Sequence, residues 1–283
     1  ARPKTLAAAF VPVWLGAALA YHDGVLNPAA SLVALICAFL IQIGTNFAND
    51  YFDFIKGADT DERIGFTRAT AAGLIAPQTM LNATIVTMGL AFLLGLYLVW
   101  IGGWIVLLIG LLSLLFGIAY TGGPYPLGYN GLGDIFVFLF FGIVAVTTTY
   151  YVNALSWSPD ALWASLTAGA LSTNILVINN LRDTEQDRKT GKRTLGVLFG
   201  DYALKIEYSI MFLLTFAIPP HFFAKLDYPA IILLPFAVFP LAAYLTYIVW
   251  TETDKTKFNK LLERTAQCMF LFGLLFGIAI IYS

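Results

Sequence analysis

Nine stretches of this chain are apolar and long enough, or nearly so, to cross a bilayer, and that dictates how the rest of it can fold. A helix needs about 20 mostly apolar residues to span the hydrocarbon layer. The candidates cover 6–20, 30–48, 79–100, 103–120, 132–152, 161–181, 207–223, 229–250 and 265–282. The first is short and contains Pro12, and its Arg2/Lys4 start and Ala18-Leu19-Ala20 end also resemble a secretory leader. Spans of this composition are common as first helices, so it is expected to stay as one. Of 283 residues, 59% are hydrophobic and 12% charged, roughly half the charge of a soluble domain, which excludes a soluble globular fold. The expectation is an all-α polytopic membrane protein, a bundle of nine transmembrane helices with cytoplasmic Asp-rich loops, residues 1–283 forming one domain.

The cations test this count independently, because Lys and Arg accumulate in cytoplasmic loops. With the N-terminus inside, every Lys and Arg except Lys225 falls on the cytoplasmic side. A miscounted span would reverse the parity of each later loop and mix the tally. The predicted topology therefore has the N-terminus inside and the C-terminus outside, in a bacterial-type inner membrane. A net charge of −1 offers no basic field for phosphate backbones, so nucleic acid is excluded as a partner. Cys37 and Cys268 each lie in an apolar run with no second Cys or His nearby in sequence, which suggests neither a disulfide framework nor a zinc site. His22 and His221 fall at the outer boundary, away from the charged loops.

Chemistry is then expected among the polar residues at the ends of the spans. Two segments stand out: NFANDYFDFIKGADTDERIGFTR at 46–68 and NNLRDTEQDRKTGKRTL at 179–195. Aligning Asn49 with Asn179 superposes Asn49, Asp50, Asp53 and Gly57 on Asn179, Asn180, Asp183 and Asp187, a shared N-[DN]-x-x-D-x-x-x-[GD] pattern. Both copies end an even-numbered span, as a duplication or a two-fold pseudo-symmetric site would leave them. If the helices continue, Asn49 and Asp53 are i,i+4 neighbours, as are Asn179 and Asp183, and Asp183 and Asp187. Like charges stacked in this way repel one another unless a cation intervenes, and magnesium takes one or two carboxylates and completes its shell with phosphate oxygens. Asp50, Asp53, Asp183 and Asp187 thus read as a clamp for a metal-bridged diphosphate, with Arg68, Arg182, Lys192 or Arg193 available to phosphate oxygens. Asp59, Asp61, Glu62, Arg63, Glu185 and Lys189 read more simply as solvated loop charges. A third segment, YTGGPYPLGYNGLGD at 120–134, cannot form a continuous helix. It either closes over the mouth, with Tyr125 or Tyr129 touching substrate, or is a rigid connecting turn. Asp134 fits a helix N-terminus better than a ligand.

Paired Asp-rich motifs after the second and sixth of nine spans resemble the UbiA superfamily of intramembrane aromatic prenyltransferases. ARPKTL at 1–6, NDYFDFIKGADT at 49–60, YTGGPYPLGYNGLGD and NNLRDTEQDRKTGKRTL carry the resemblance, and most closely to the branch acting on 1,4-dihydroxy-2-naphthoate in quinone synthesis. It implies Mg2+, with Asn49, Asp50, Asp53, Asp183 and Asp187 as metal ligands, the four aspartates as the catalytic groups, and Asn49 and Asn180 on the diphosphate; Arg68, Lys192, Arg193 and Tyr125 are the further diphosphate candidates from the reading of the loops. It also implies a polyprenyl or phytyl diphosphate donor held from the lipid bilayer, and a small aromatic acid acceptor that loses its carboxylate. The chain departs from the superfamily pattern at Gly57, where many members have a third Asp that Asp59 could replace. It departs again at Gly122 to Pro126, where several relatives have a Lys-Arg pair. Other aromatic acceptors and, from a different class, a cation-coupled transporter are the competing readings. The transporter expects its carboxylates near the midplane.

Overall fold

The computed structural model describes residues 6–58, 64–66 and 68–283. Among them all regular structure is helical. Nine helices follow in order: α1 (Leu6–His22), α2 (Pro28–Ile55), α3 (Pro77–Gly102), α4 (Trp104–Ala119), α5 (Gly133–Ala154), α6 (Pro159–Lys189), α7 (Leu195–Lys225), α8 (Ala230–Thr251) and α9 (Phe258–Ile281). Seven of these segments have the length and composition to cross a membrane. The other two, α1 and α4, are apolar but shorter, at 17 and 16 residues. The protein is therefore a multi-pass integral membrane protein, with the Asp-rich motifs at one end of the bundle, here the charged end.

Local chemistry fixes the helix starts. Asn27 caps α2 by accepting the Ala30 N–H at 3.1 Å, and Ser158 caps α6 through the Ala161 N–H at 3.3 Å. A proline follows each cap, where its missing N–H costs nothing. The helix ends differ from the hydropathy reading. Helices α2 and α6 run past residues 48 and 181 to Ile55 and Lys189, and α7 begins at Leu195, twelve residues before its apolar core. In α7 the chain breaks at Gly200 (φ 83°, ψ 169°), so its first turn is a separate short piece.

Both motif-bearing helices end in the same way. Gly57 (φ 65°) and Gly191 (φ 77°) take the left-handed conformation. Ala58 N–H returns to the Asp53 carbonyl at 2.9 Å, and Lys192 N–H to the Asp187 carbonyl at 2.8 Å. This is the glycine-terminated helix cap. By their caps the two ends correspond with Asp53 on Asp187 and Gly57 on Gly191, one turn out of the register that the shared sequence pattern predicts.

Helix α6 is the hub, enclosed by α1, α5, α7 and α9. Its small buried residues, among them Ala161, Ala164, Ser165, Ala168 and Gly169, allow the close approach that substitutes for hydrophobic driving force inside a membrane. The tightest contact lies on the π-helical turn Leu139–Val144 of α5. A Cβ on Gly142 would fall 2.7 Å from the Gly169 Cα and 2.8 Å from the Ser165 carbonyl. Gly142→Leu is accordingly expected to destabilise the fold by about 1–3 kcal/mol, read as a lowered unfolding temperature in detergent. Trp100, Trp104 and Trp157 are exposed at the end opposite the motifs, where interfacial aromatics belong.

Helices α2, α3 and α4 form one wall, and α1, α5 and α6 face them. Helix α4 buries only Val106 and packs along α2 and α3. Between the walls lies a cavity of about 610 Å³, within the range of small-molecule sites. It opens among the motif residues and continues toward the far end. There Cys37, Leu98, Val106 and Val152, packed together with Ala30, line it as an apolar floor.

Candidate active site at the charged end of the bundle

Because α2 and α6 remain helical through the motifs, the i,i+4 spacing becomes real geometry. Gln42, Asn46, Asn49 and Asp53 border the cavity from one face of α2, and Asn179, Asn180, Asp183 and Asp187 border it from α6. Two ladders of oxygen and amide groups thus look into one space.

Asp53 is 1% exposed and engages three side chains. Its Oδ2 accepts from the Arg68 guanidinium at 2.8 Å, and its Oδ1 accepts the Tyr129 hydroxyl at 2.6 Å and lies 3.2 Å from Lys192 Nζ. The ammonium groups of Lys56 and Lys192 sit 4.6 and 4.7 Å from the centre of the Tyr129 ring, a cation–π arrangement. Lys56 also donates to the Thr121 carbonyl at 2.6 Å, and Thr121 Oγ1 donates to Asn49 Oδ1 at 2.8 Å. Burial holds the Lys56 ammonium below the usual lysine range; Lys192 adds to this and Asp53 opposes it.

On the other helix, Asp183 accepts two bonds from Arg182, from Nε at 2.7 Å and from NH2 at 2.6 Å. Arg182 also donates to Asn179 and, across to α9, to Asn259. Gln186 donates to the Ala58 carbonyl at 3.1 Å and so ties the end of α2 to α6.

The structure gathers Asn49, Asp53, Asn180, Asp183, Asp187, Arg68 and Lys192 around the cavity. Asp50 is buried but turns away from it. Its oxygens accept the backbone N–H groups of Ala69 and Thr70 at 3.1 and 3.0 Å, which fixes the turn that delivers Arg68. Tyr125 is 60% exposed and does not line the cavity. Tyr129, four residues on, is the tyrosine that reaches Asp53. The Arg193 side chain is exposed and away from the cavity, while its backbone N–H donates to the Tyr129 carbonyl at 2.9 Å. Arg182 serves Asp183. Asp134 stands in the first turn of α5, as expected of a helix N-terminus. His22 stacks against Tyr228 and His221 packs at a tilt against Trp163, away from this site. Arg2, Lys4, Asp59, Asp61, Glu62 and Arg63 lie outside the described residues. Lys56, Thr121 and Gln186 are site residues that sequence reasoning did not single out, because their partners are distant in the chain.

Losing the Tyr129 hydroxyl removes a hydrogen bond to a charged group, worth about 1.5–3 kcal/mol. Tyr129→Phe is therefore expected to lower turnover about 10- to 100-fold, and Tyr125→Phe to leave it within about twofold. Steady-state assays of the two variants side by side test the assignment.

A charged mouth over an apolar shaft defines a membrane protein with one deep site that is polar at one end and apolar at the other. Comparison with known proteins places the chain more closely: residues 9–279 match the UbiA prenyltransferase family, and the chain belongs to it. It is 38% identical over 293 residues to 1,4-dihydroxy-2-naphthoate octaprenyltransferase of Escherichia coli, covering 100% of this chain and 94% of that protein. Among solved structures it resembles a UbiA homolog from Aeropyrum pernix (TM-score 0.75, 13% identity, 100% of each chain). It also resembles a UbiA homolog from Archaeoglobus fulgidus bound to DMAPP and Mg2+ (TM-score 0.66, 17% identity, 99% of this chain and 97% of that one). At these identities the structural likeness speaks for the fold.

Proposed function

We propose that the protein transfers a polyprenyl or phytyl group from its diphosphate to 1,4-dihydroxy-2-naphthoate, with loss of the carboxylate, giving a demethylmenaquinone-type product in its quinol form. The observation that carries this reading is the continuity of the mouth, with its carboxylates and cations, and the apolar cavity behind it. An allylic diphosphate has those two halves in that order.

Heterolysis of the allylic C–O bond leaves a carbocation and a highly charged anion, so the anion must be held and water kept from the cation. Arg68 and Lys192, which neutralise Asp53 in this structure, exchange that partner for diphosphate oxygens when the donor enters. Asp53 and Asn49 on one helix, and Asp183, Asp187 and Asn180 on the other, are then the groups that hold Mg2+. The donor set suits it: all are hard oxygen ligands. Among the described residues no three carboxylates gather round one point, so an ion held between the two helices would need diphosphate oxygens to complete its shell. Bound there, the ion would supply charge neutralisation for the departing diphosphate. Asp50 acts one step back, by positioning Arg68. Phe116, Phe136 and Phe140, packed on one another along the cavity wall, keep the reacting carbons dry. The acceptor carbon bearing the carboxylate bonds to the prenyl carbon, and carbon dioxide leaves.

The charged end is assigned to the cytoplasm on the positive-inside rule, in a bacterial-type inner membrane. Asp53, Asp183 and Asp187, the carboxylates that border the cavity, all lie at its charged mouth, which supports the transferase over the transporter. Purified protein given magnesium, prenyl diphosphate and a panel of aromatic acids tests the proposal by mass spectrometry. A decarboxylated prenyl adduct of 1,4-dihydroxy-2-naphthoate is expected. Preference for a hydroxybenzoate or homogentisate acceptor would reassign the substrate, and absence of any adduct would remove the activity.

A further inference from the structure

The floor of the cavity and the glycines just above it bear on how much donor tail the protein accepts. Gly95 and Gly110 lie eight residues before and seven after the turn at Gly103 that joins α3 to α4. Two antiparallel helices joined there bring the two glycines to one depth. Both border the cavity. On α3 the lining positions include Ala91, Gly95 and Val99, so Gly95 lies at the centre of that face, and the same phase places Gly110 at the centre of the α4 face.

Close helix packing does not explain them. A Cβ on Gly117, in the same helix as Gly110, would meet Thr45 Oγ1 at 2.6 Å, whereas a Cβ on Gly95 or Gly110 would meet no atom within 4 Å. A glycine in the middle of a helix is a poor helix former, and these two open the shaft where any side chain would narrow it. Leu98 and Val106, which belong to the floor, follow one helical turn beyond. From Cys37 in the floor to Asp53 in the mouth, α2 rises about 24 Å.

We propose that Gly95 and Gly110 determine tail-length specificity: they keep the last turn of the cavity above its floor open for the distal isoprene units of a long prenyl diphosphate. This rests on the transferase reading for the donor class but not for the acceptor. A side chain at either glycine fills that last turn and leaves the mouth and the near part of the shaft as they are.

The test is donor binding without acceptor, read as the rise in unfolding temperature when geranyl or octaprenyl diphosphate is added with magnesium. Titrations give apparent affinities for the wild type, for Gly95→Leu and Gly110→Leu, and for their alanine counterparts. Gly89→Leu, on the exposed face of α3 with open space at its Cβ, controls for added bulk on the helix. Leucine at 95 or 110 should weaken octaprenyl diphosphate about tenfold or more, as expected of overpacking. Geranyl diphosphate should be unaffected, alanine should fall between, and Gly89→Leu should match the wild type. Unchanged octaprenyl binding in both leucine variants overturns the assignment, and so does an equal loss for both diphosphates. A wild type that binds neither diphosphate would instead fail at the transferase reading itself, before any variant is compared.

Discussion

Asp53→Asn is expected to lower the turnover number by about 10²–10³-fold, the scale for removing one group that meets charge developing in a transition state, while the Michaelis constant for the prenyl diphosphate stays level or falls. The split follows from what Asp53 touches. Its carboxylate is the shared partner of Arg68, Lys192 and the Tyr129 hydroxyl. The amide keeps the shape of the side chain and one oxygen for Tyr129, but it takes the Asp53 charge away from two enclosed cations. Those cations then attract a diphosphate at least as strongly as before, so ground-state binding survives. What is lost is the negative group proposed to bring a divalent ion to the leaving oxygens. The magnesium concentration for half-maximal rate should rise as well. Steady-state kinetics with donor and magnesium varied in turn check this. A turnover number within tenfold of wild type would remove Asp53 from the metal clamp, and a raised Michaelis constant alone would recast it as a binding residue.

Much of this was legible in the sequence, and the reason is the solvent. In a bilayer the backbone must satisfy itself within each span, so apolar runs translate directly into helices, and the nine runs became α1 to α9. The ends were less legible, because a hydropathy scan stops at the first cluster of charges while the helix does not. Asn and Asp usually compete with helical backbone, but Asp50 is held by the amides of Ala69 and Thr70, and Asn49 by Thr121. With those partners α2 runs on to its glycine cap.

The carboxylates of the site were readable from i,i+4 spacing because that relation is local. The tyrosine was not. Tyr125 and Tyr129 share one loop and one chemistry, and the choice between them is made by the turn Leu127–Tyr129 and by the Arg193 amide, more than sixty residues away in the chain. Arg182 shows the same limit. Beside Asp183 in sequence it reads as a free phosphate ligand, yet the fold gives its donors to Asp183, Asn179 and Asn259.

That engagement makes Arg182 the position where a substitution should cost the fold most. Its guanidinium and the Asp183 carboxylate form a pair whose side chains are 1% and 8% exposed. Arg182→Met would take the guanidinium partner from an enclosed carboxylate, and removing one side of such a pair is destabilising by about 3–5 kcal/mol. It would also release Asn259, whose side chain donates to the Ile64 carbonyl at 2.9 Å and so ties α9 to the segment leading to Arg68. A marked fall in unfolding temperature is therefore expected in detergent, with activity lost alongside it. The double variant Arg182→Met, Asp183→Asn separates the two effects. Removing the charge that lost its guanidinium should recover much of the stability, because a buried charge deprived of its main partner is costly. Activity should not return, since Asp183 is one of the groups assigned to the metal. Recovery of both together would mean that Asp183 serves the fold alone, and that the α6 side of the clamp rests on Asp187 and Asn180.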